Sequence, residues 1–283
     1  MNILTFDIEE WFHILDNKST KTIKEWSNYE SRIHENMNRI LDLLDSKNQR
    51  ATFFCLGWIA EKYPEVIREI DHRGFEIGSH TYMHQLIYEQ NREEFSQDIS
   101  RSIIVLEDII GKKVRSFRAP GFSLTSDVLW AFEVLIENGI THDSSIFPAP
   151  RAHGGISDFG SQIPHILSYK GSEILEFPIN TRKVGSFEFV YSGGGYFRLF
   201  PYSFLKNWIK QDDYVMTYFH PRDFDFNQPL IKDLSLFRRF KSYYGLKGAF
   251  NKLEKWIEEN KFVDMETASE QIDWSLSPKV VVS

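Results

Sequence analysis

Two histidines four residues apart, His80 and His84, follow the run Phe75-Glu76-Ile77-Gly78-Ser79. Residues at i and i+4 share a helix face one turn apart, so a helical segment here would let both imidazoles reach one divalent cation. The same spacing also arises by chance on solvated helix faces. A metal site needs a third ligand, and a catalytic one keeps a position open for water.

Carboxylates that could complete such a site stand near the start, in Asp7-Ile8-Glu9-Glu10-Trp11-Phe12-His13. Strand alternation puts Asp7 and Glu9 on one face and Glu10 on the other. Acidic groups where a buried strand ends are costly unless paired, hydrogen-bonded or metal-bound; the plainer reading is that they mark the exit into solvent. Arg118 opens Arg118-Ala119-Pro120-Gly121-Phe122, and His220 opens His220-Pro221-Arg222-Asp223. A cation that polarises a carbonyl, a carboxylate that takes a proton from water and a histidine that protonates the leaving group make up metal-assisted hydrolysis. No Gly-x-Ser-x-Gly elbow is present, and the single cysteine, Cys55, sits in an apolar run, so a covalent nucleophile is not indicated.

The elements that must position these groups follow from periodicity. Strands are expected over residues 2–6, 51–56, 75–77, 114–117, 140–143 and 214–219. Helices are expected from Arg32 to about Leu44 and over 60–72, 94–110, 126–138 and 202–210. Strand–helix alternation from residue 1 to about 143 predicts a parallel sheet or barrel. Each polar cluster (Asp7/Glu9, His80/His84, Arg118, Asp143, His220) follows a predicted strand, and in a parallel barrel the strand C-termini share one rim. Residues 163–169, 174–178 and 187–191 read as further strands. The glycine break 192–196 lacks the Gly-Lys-Ser/Thr ending of a phosphate loop. A loop is expected from Pro148 to about Ser161, one or two basic helices over 234–259, and a tail of little signal over 262–283.

Bulk properties bound the answer. A chain of 283 residues with 42% apolar and 26% charged side chains suits a large α/β domain. A net charge of −7 and a pI near 5.8 argue against a nucleic-acid partner. One cysteine makes no intramolecular disulfide. No basic segment followed by an apolar one opens the chain, and no run approaches the ~20 apolar residues of a membrane span, so a cytoplasmic protein is expected. The basic run Arg238-Arg239-Phe240-Lys241 suits either a solvated helix face or a lipid-linked or phosphorylated substrate, which would make the protein membrane-peripheral. The 24 Phe, 12 Tyr and 7 Trp fit a packed core or a sugar-stacking surface equally.

Thr5-Phe6-Asp7-Ile8-Glu9, Ser79-His80-Thr81-Tyr82-Met83-His84, Arg118-Ala119-Pro120-Gly121 and Tyr218-Phe219-His220 together resemble the NodB-homology polysaccharide deacetylases, carbohydrate esterase family 4, over residues 1 to about 225. The segments from Asp7 to Trp11, Gly193 to Arg198, Phe219 to Pro221 and Arg238 to Lys255 are similar to the branch of exosortase and surface-polysaccharide loci. The resemblance implies a distorted (β/α) barrel of about seven parallel strands over residues 1–225, with a C-terminal helical extension, 226–283, packed on it. It implies removal of an N-acetyl group from an amino sugar in a surface polysaccharide or its precursor. It also implies roles: Asp7 as general base, His80 and His84 with an acid as ligands of one divalent metal, Arg118 as the partner of Asp7, and His220 as general acid. The metal the resemblance implies is zinc, with cobalt, manganese or nickel as alternatives. A backbone N–H near Gly121 would hold the oxyanion, and Thr81 would support the ligand shell.

The usual adjacent aspartates are replaced by Asp7-Ile8-Glu9-Glu10. Alternation favours Glu9 as the acidic ligand, and Glu10 stays open if the strand has already ended. Gly121 stands where the family usually carries an aromatic, with Phe122 next. Asp143 is the candidate partner of His220, and Trp11 and Tyr196 are candidate sugar platforms with buried packing as the alternative. His13 reads as an ordinary polar contact. Two other functions stay in view: a deformylase or allantoinase-like hydrolase of a small amide, and a non-catalytic carbohydrate-binding barrel. The oligomeric state has no signature in the sequence.

Overall fold

The computed structural model describes residues 1–282 apart from 16, 150–152, 157–158 and 186. Parts of the loop expected after Pro148 therefore lie outside the described residues. The strands in chain order are β1 (Asn2–Ile3), β2 (Thr5–Ile8), β3 (Thr52–Cys55), β4 (Glu76–Ser79), β5 (Ser116–Phe117) and β6 (His142–Asp143). They continue with β7 (His165–Tyr169), β8 (Ser172–Glu176), β9 (Arg182–Val184), β10 (Phe187–Phe189), β11 (Val215–Met216) and β12 (Lys279–Val282). The helices are α1 (Ile23–Trp26), α2 (Ile33–Ser46), α3 (Gly57–Lys62), α4 (Pro64–His72), α5 (Arg92–Ile110) and α6 (Ala131–Glu137). After them come α7 (Gly194–Leu199), α8 (Tyr202–Ile209), α9 (Leu236–Tyr243), α10 (Leu246–Glu259) and α11 (Met265–Gln271).

Every residue of β2 and β3 is buried, as expected of parallel strands covered on both faces. The expected first strand is a stretch that changes partner at Leu4: β1 pairs with β11, and β2 with β3. From β2 the sheet runs β3, β4, β5, β6 and β8, all parallel, and β7 joins β8 antiparallel. The other side of β2 meets the extension of β11, through the Phe6–Phe219 bridge and the bond from Asp7 N–H to Phe219 O (2.7 Å). The result is a distorted (β/α) barrel. Among the described residues no ladder joins β8 to β11. Asn180 Oδ1 accepts from Met216 N–H (3.0 Å) and Tyr214 O–H donates to Pro178 O (2.8 Å) across that gap.

The helices follow their apolar stripes. Ile33, Met37, Ile40, Leu41 and Leu44 of α2 are buried, and α5 begins at a capping box of Asn91 and Glu94 and ends at left-handed Gly111. Three expectations are corrected. The helix expected over 60–72 is two, because Pro64 starts α4 in a place where its missing N–H costs nothing. The helix expected over 126–138 is a short 3-10 turn followed by α6. The tail is structured: α11 is capped by Asp264, and β12 adds a parallel strand beside β7. The extension also threads into the barrel, since Leu4 N–H donates to Val263 O and Val263 N–H to Asn2 O (both 3.0 Å). Trp256 packs on Phe197, with ring centroids 5.1 Å apart.

Candidate active site

The polar clusters after β2, β4, β5 and β11 meet at one end of the barrel. Arg118 is the fixed point. Its side chain is fully buried, yet all five donors are used. Nη1 donates to Thr5 Oγ1 (2.7 Å) and Asp7 Oδ1 (2.9 Å). Nη2 donates to Ser144 Oγ (2.9 Å) and Thr217 O (3.3 Å), and Nε to Ser144 O (3.2 Å). A buried cation costs several kcal/mol unless paired and hydrogen-bonded in this way, on the order of the penalty for leaving either partner alone. Asp7 is thus gripped on Oδ1, while Oδ2 stands 3.8 Å from His220 Nε2.

Glu9 lies just beyond β2 and turns toward the histidines. Its Oε1 is 3.1 Å from His80 Nε2 and 2.9 Å from His84 Nε2, the latter without hydrogen-bond alignment. His80 Nδ1–H donates to Arg118 O (2.7 Å), so in the neutral ring Nε2 carries a lone pair. Two imidazole nitrogens and a carboxylate oxygen converge in a buried space, a grouping that could hold a cation. One oxygen and two imidazole nitrogens are also the donor set that suits zinc or a neighbouring divalent ion. Burial pushes the Glu9 carboxyl up, but His84, His220 and the bond from His80 outweigh it and hold it well below the usual range. Glu10 is elsewhere: its carboxylate accepts from the N–H groups of Arg32 (3.0 Å) and Ile33 (3.1 Å) and from Ser31, capping α2.

The expected helix over the histidine pair does not form. Residues 80–86 are a loop in which Thr81 (φ +67°) and His84 (φ +55°) take the left-handed conformation. Thr81 Oγ1 accepts from His84 N–H (3.2 Å) and Thr81 O from Gly57 N–H (2.9 Å), so Thr81 shapes the backbone that aims His84.

His220 is partly exposed at the cleft. Its Nδ1 is bonded to Asp223 Oδ2 (3.0 Å), which leaves Nε2 facing Asp7 and Glu9, each 3.8 Å away. Burial favours the neutral ring, but Glu9, Asp223 and Asp7 prevail and its pKa is pushed up to about 9. Asp223 falls to about 2: burial opposes this, but the His220 bond and charge dominate, helped by Arg198, whose Nε is 3.3 Å away. Asp223 therefore takes the place expected of Asp143. Asp143 lies on β6 and is spent on Ser145, accepting from its Oγ (2.6 Å) and N–H (3.1 Å). The sequence carried a signal for Asp223, a carboxylate three residues after His220 across a proline turn.

Gly121 (φ +60°) sits at the bend after β5, where an added Cβ would come within 2.8 Å of Leu15. Phe122 N–H is used by Ala119 O (3.0 Å), whereas Gly121 N–H has no protein partner among the described residues. Phe122 is buried against Phe147 and Tyr218 and lines the cleft. Tyr196 on α7 is exposed and lines the same cleft, of about 560 Å³. Trp11 does not: it is buried edge-on against Tyr29 and its indole N–H donates to Glu30 O (2.9 Å). His13 also lines the cleft; its Nδ1 accepts from Glu10 N–H (3.3 Å), and burial with His84 nearby holds the ring neutral. Cys55 is buried and its thiol is pushed up, so it is no nucleophile.

Residues 4–136 match the polysaccharide deacetylase family, and residues 144–270 match a domain of unknown function (DUF3473). A 96-residue stretch, 34% of the chain, is 36% identical to a peptidoglycan-N-acetylglucosamine deacetylase of Bacillus cereus, and 91 residues, 32% of the chain, are 34% identical to a chitooligosaccharide deacetylase of Azorhizobium caulinodans. These matches span 35% and 43% of the relatives' own lengths. In fold, the chain superposes over its whole length on 93% of a candidate polysaccharide deacetylase from Mycobacterium smegmatis, with a TM-score of 0.68 and 18% identity. A carbohydrate esterase family 4 pseudoenzyme from Bacillus anthracis shares the fold at a TM-score of 0.50 and 13% identity, over 94% of this chain and 64% of that one. The barrel is thus of the NodB-homology type, and through residues 4–136 the chain belongs to the polysaccharide deacetylase family.

Proposed function

We propose that this protein is a metal-dependent hydrolase that removes an N-acetyl group from an amino sugar of a polysaccharide or its precursor. The observation that carries the reading is the convergence of His80 Nε2 and His84 Nε2 on one Glu9 oxygen, with Asp7 Oδ2 and His220 Nε2 facing each other beside it. Glu9, His80 and His84 would hold the ion, which when bound supplies Lewis acidity toward the amide carbonyl and its attacking water.

The remaining steps belong to the chain. Arg118 occupies Asp7 Oδ1 and leaves Oδ2 to take the proton of the attacking water. Gly121 N–H offers a donor for the developing oxyanion. His220 is held protonated at neutral pH by Glu9, Asp223 and Asp7 and delivers a proton from Nε2 to the departing nitrogen, which would otherwise have to leave as a strongly basic anion. Tyr196 offers an aromatic face for the sugar ring. The fold alone does not carry activity, as the pseudoenzyme on the same barrel shows.

The test is metal content and turnover together. Wild type is expected to bind about one divalent ion per chain and to release acetate from N-acetylglucosamine oligomers, and His80→Ala is expected to lose the ion. Asp7→Asn should keep the ion but lose roughly 10²-fold or more in kcat, the scale of a lost general base. Full turnover in Asp7→Asn would overturn the reading. Turnover of small formamides or ureides with N-acetyl sugars untouched would move it to a deformylase or allantoinase-like hydrolase, and ion binding without any turnover to a carbohydrate-binding barrel.

A further inference from the structure

One wall of the catalytic cleft is the short helix α9, and it is unlike the other helices. None of its residues is buried. Leu236 is 86% exposed, Phe237 66% and Phe240 51%. At 100° per residue these three fall on one face, with Arg239 on one flank and Lys241 on the other. Residues 232–247 carry five Lys or Arg and one Asp, on a chain whose net charge is −7.

This exposure is built, not frayed. Arg198, buried on α7, donates to three carbonyls at the end of α9: Lys241 O (2.8 Å), Ser242 O (3.1 Å) and Tyr244 O (2.8 Å). The following turn is Gly245 at φ +77°, where an added Cβ would stand 2.9 Å from Arg198 O. Tyr243 O–H binds the loop beneath, donating to Pro229 O (3.1 Å) and accepting from Ile231 N–H (2.8 Å).

We propose that α9 docks the protein on an anionic lipid surface, with the mouth of the cleft held at the headgroup plane. An apolar stripe flanked by cations is the pattern of a helix that lies in a membrane interface, the apolar side chains entering the acyl boundary and the cations meeting anionic headgroups. The charge argues for this occupant over a second copy: a two-fold contact through this face would bring two copies of the same basic segment together. It also argues against a soluble glycan, which would leave Leu236 uncovered. No helix among the described residues is long and apolar enough to cross a membrane, so attachment through α9 is peripheral.

The experiment is flotation of the full chain with vesicles of phosphatidylglycerol and phosphatidylcholine, beside pure phosphatidylcholine. Binding to the anionic vesicles is expected, weakening as salt rises from about 0.1 to about 0.5 M because the headgroup attraction is screened. Leu236→Glu should weaken it roughly tenfold and Arg239→Glu several-fold, the scale of one lost apolar insertion and one lost cation. Neither residue lines the cleft, so both variants should keep the melting temperature and metal content of wild type. Equal flotation of wild type and Leu236→Glu, or no flotation of wild type, would overturn the proposal. So would a dimer seen by sedimentation that Leu236→Glu dissolves while vesicle binding is absent. Flotation needs no turnover and can be run on metal-stripped protein, so its failure leaves the hydrolase reading standing and the reverse also holds.

Discussion

Asp223 decides what His220 can do. The carboxylate is buried, bonded to His220 Nδ1 and steadied by Arg198, and it is one of the groups that raise His220 to about 9. A proton donor acts only below its own pKa, so the rate is expected to fall on the alkaline side as His220 deprotonates. Asp223→Asn removes one negative charge, lowers that pKa and moves the alkaline fall to lower pH. The check is kcat against pH for both proteins; an unmoved alkaline limb would remove Asp223 from this role. At this scale the sequence was legible where chemistry was concentrated. Asp7, Glu9, His80, His84, Arg118 and His220 stand out because a polar group at the end of an apolar strand is costly to bury without a partner or a ligand. The choice between Glu9 and Glu10 followed from alternation, and the structure puts Glu9 with the histidines and Glu10 on α2. Asp143 misled because it too follows a strand, and only tertiary placement shows it spent on Ser145. Trp11 misled because an aromatic beside a site reads alike whether it faces sugar or core.

Elements set where these groups point. Glu10 illustrates it: its carboxylate satisfies N–H groups at the start of α2, which no residue of α2 itself does. Glu10→Ala should cost about 1–2 kcal/mol of stability, the usual worth of a lost helix cap, measured by denaturant unfolding. Gly193 shows a tighter constraint. It bridges to Tyr218, and an added Cβ would meet Tyr218 O at 2.3 Å. Gly193→Ala should therefore destabilise by roughly 1–3 kcal/mol, as overpacking does, and lower activity by displacing the strand end that carries His220. The strands and long helices of residues 1–143 were readable from period and capping. The loop of residues 80–86 was not, because an i, i+4 histidine pair suggests a helix, whereas here left-handed Thr81 and His84 bring the rings together by another route. β12 was missed because four residues at the end of a polar tail carry almost no periodic signal, and its partner β7 lies more than a hundred residues away.

At the scale of the whole molecule, carboxyl groups are buried beneath the site as well as in it. Glu176 on β8 sits beside Asp143, and burial first, then Asp143, pushes its carboxyl well above 4.5. A carboxyl with a raised folded pKa keeps its proton when the unfolded chain has released it. Its contribution is therefore complete below about pH 4.5 and is lost progressively as pH rises toward the folded value. Glu176→Gln, neutral at every pH, should flatten that part of the curve and be relatively more stable at pH 7 to 8 than at 5, as read by urea midpoints. Parallel slopes for the two proteins would refute the assignment.

The guanidinium of Arg118 carries one more consequence. Its partners come from Thr5, Asp7, Ser144 and Thr217, so a single side chain ties together the start, the middle and the late part of the chain. The segment that matches the deacetylase family ends at residue 136, before Ser144 and Thr217 exist. Synthesised alone, it would bury a cation with three donors unanswered and leave β1 without β11. That segment is therefore expected not to fold on its own. During synthesis the bonds around Arg118 can close only once residues past 217 have emerged, and a nascent chain stalled earlier should remain sensitive to protease throughout its length.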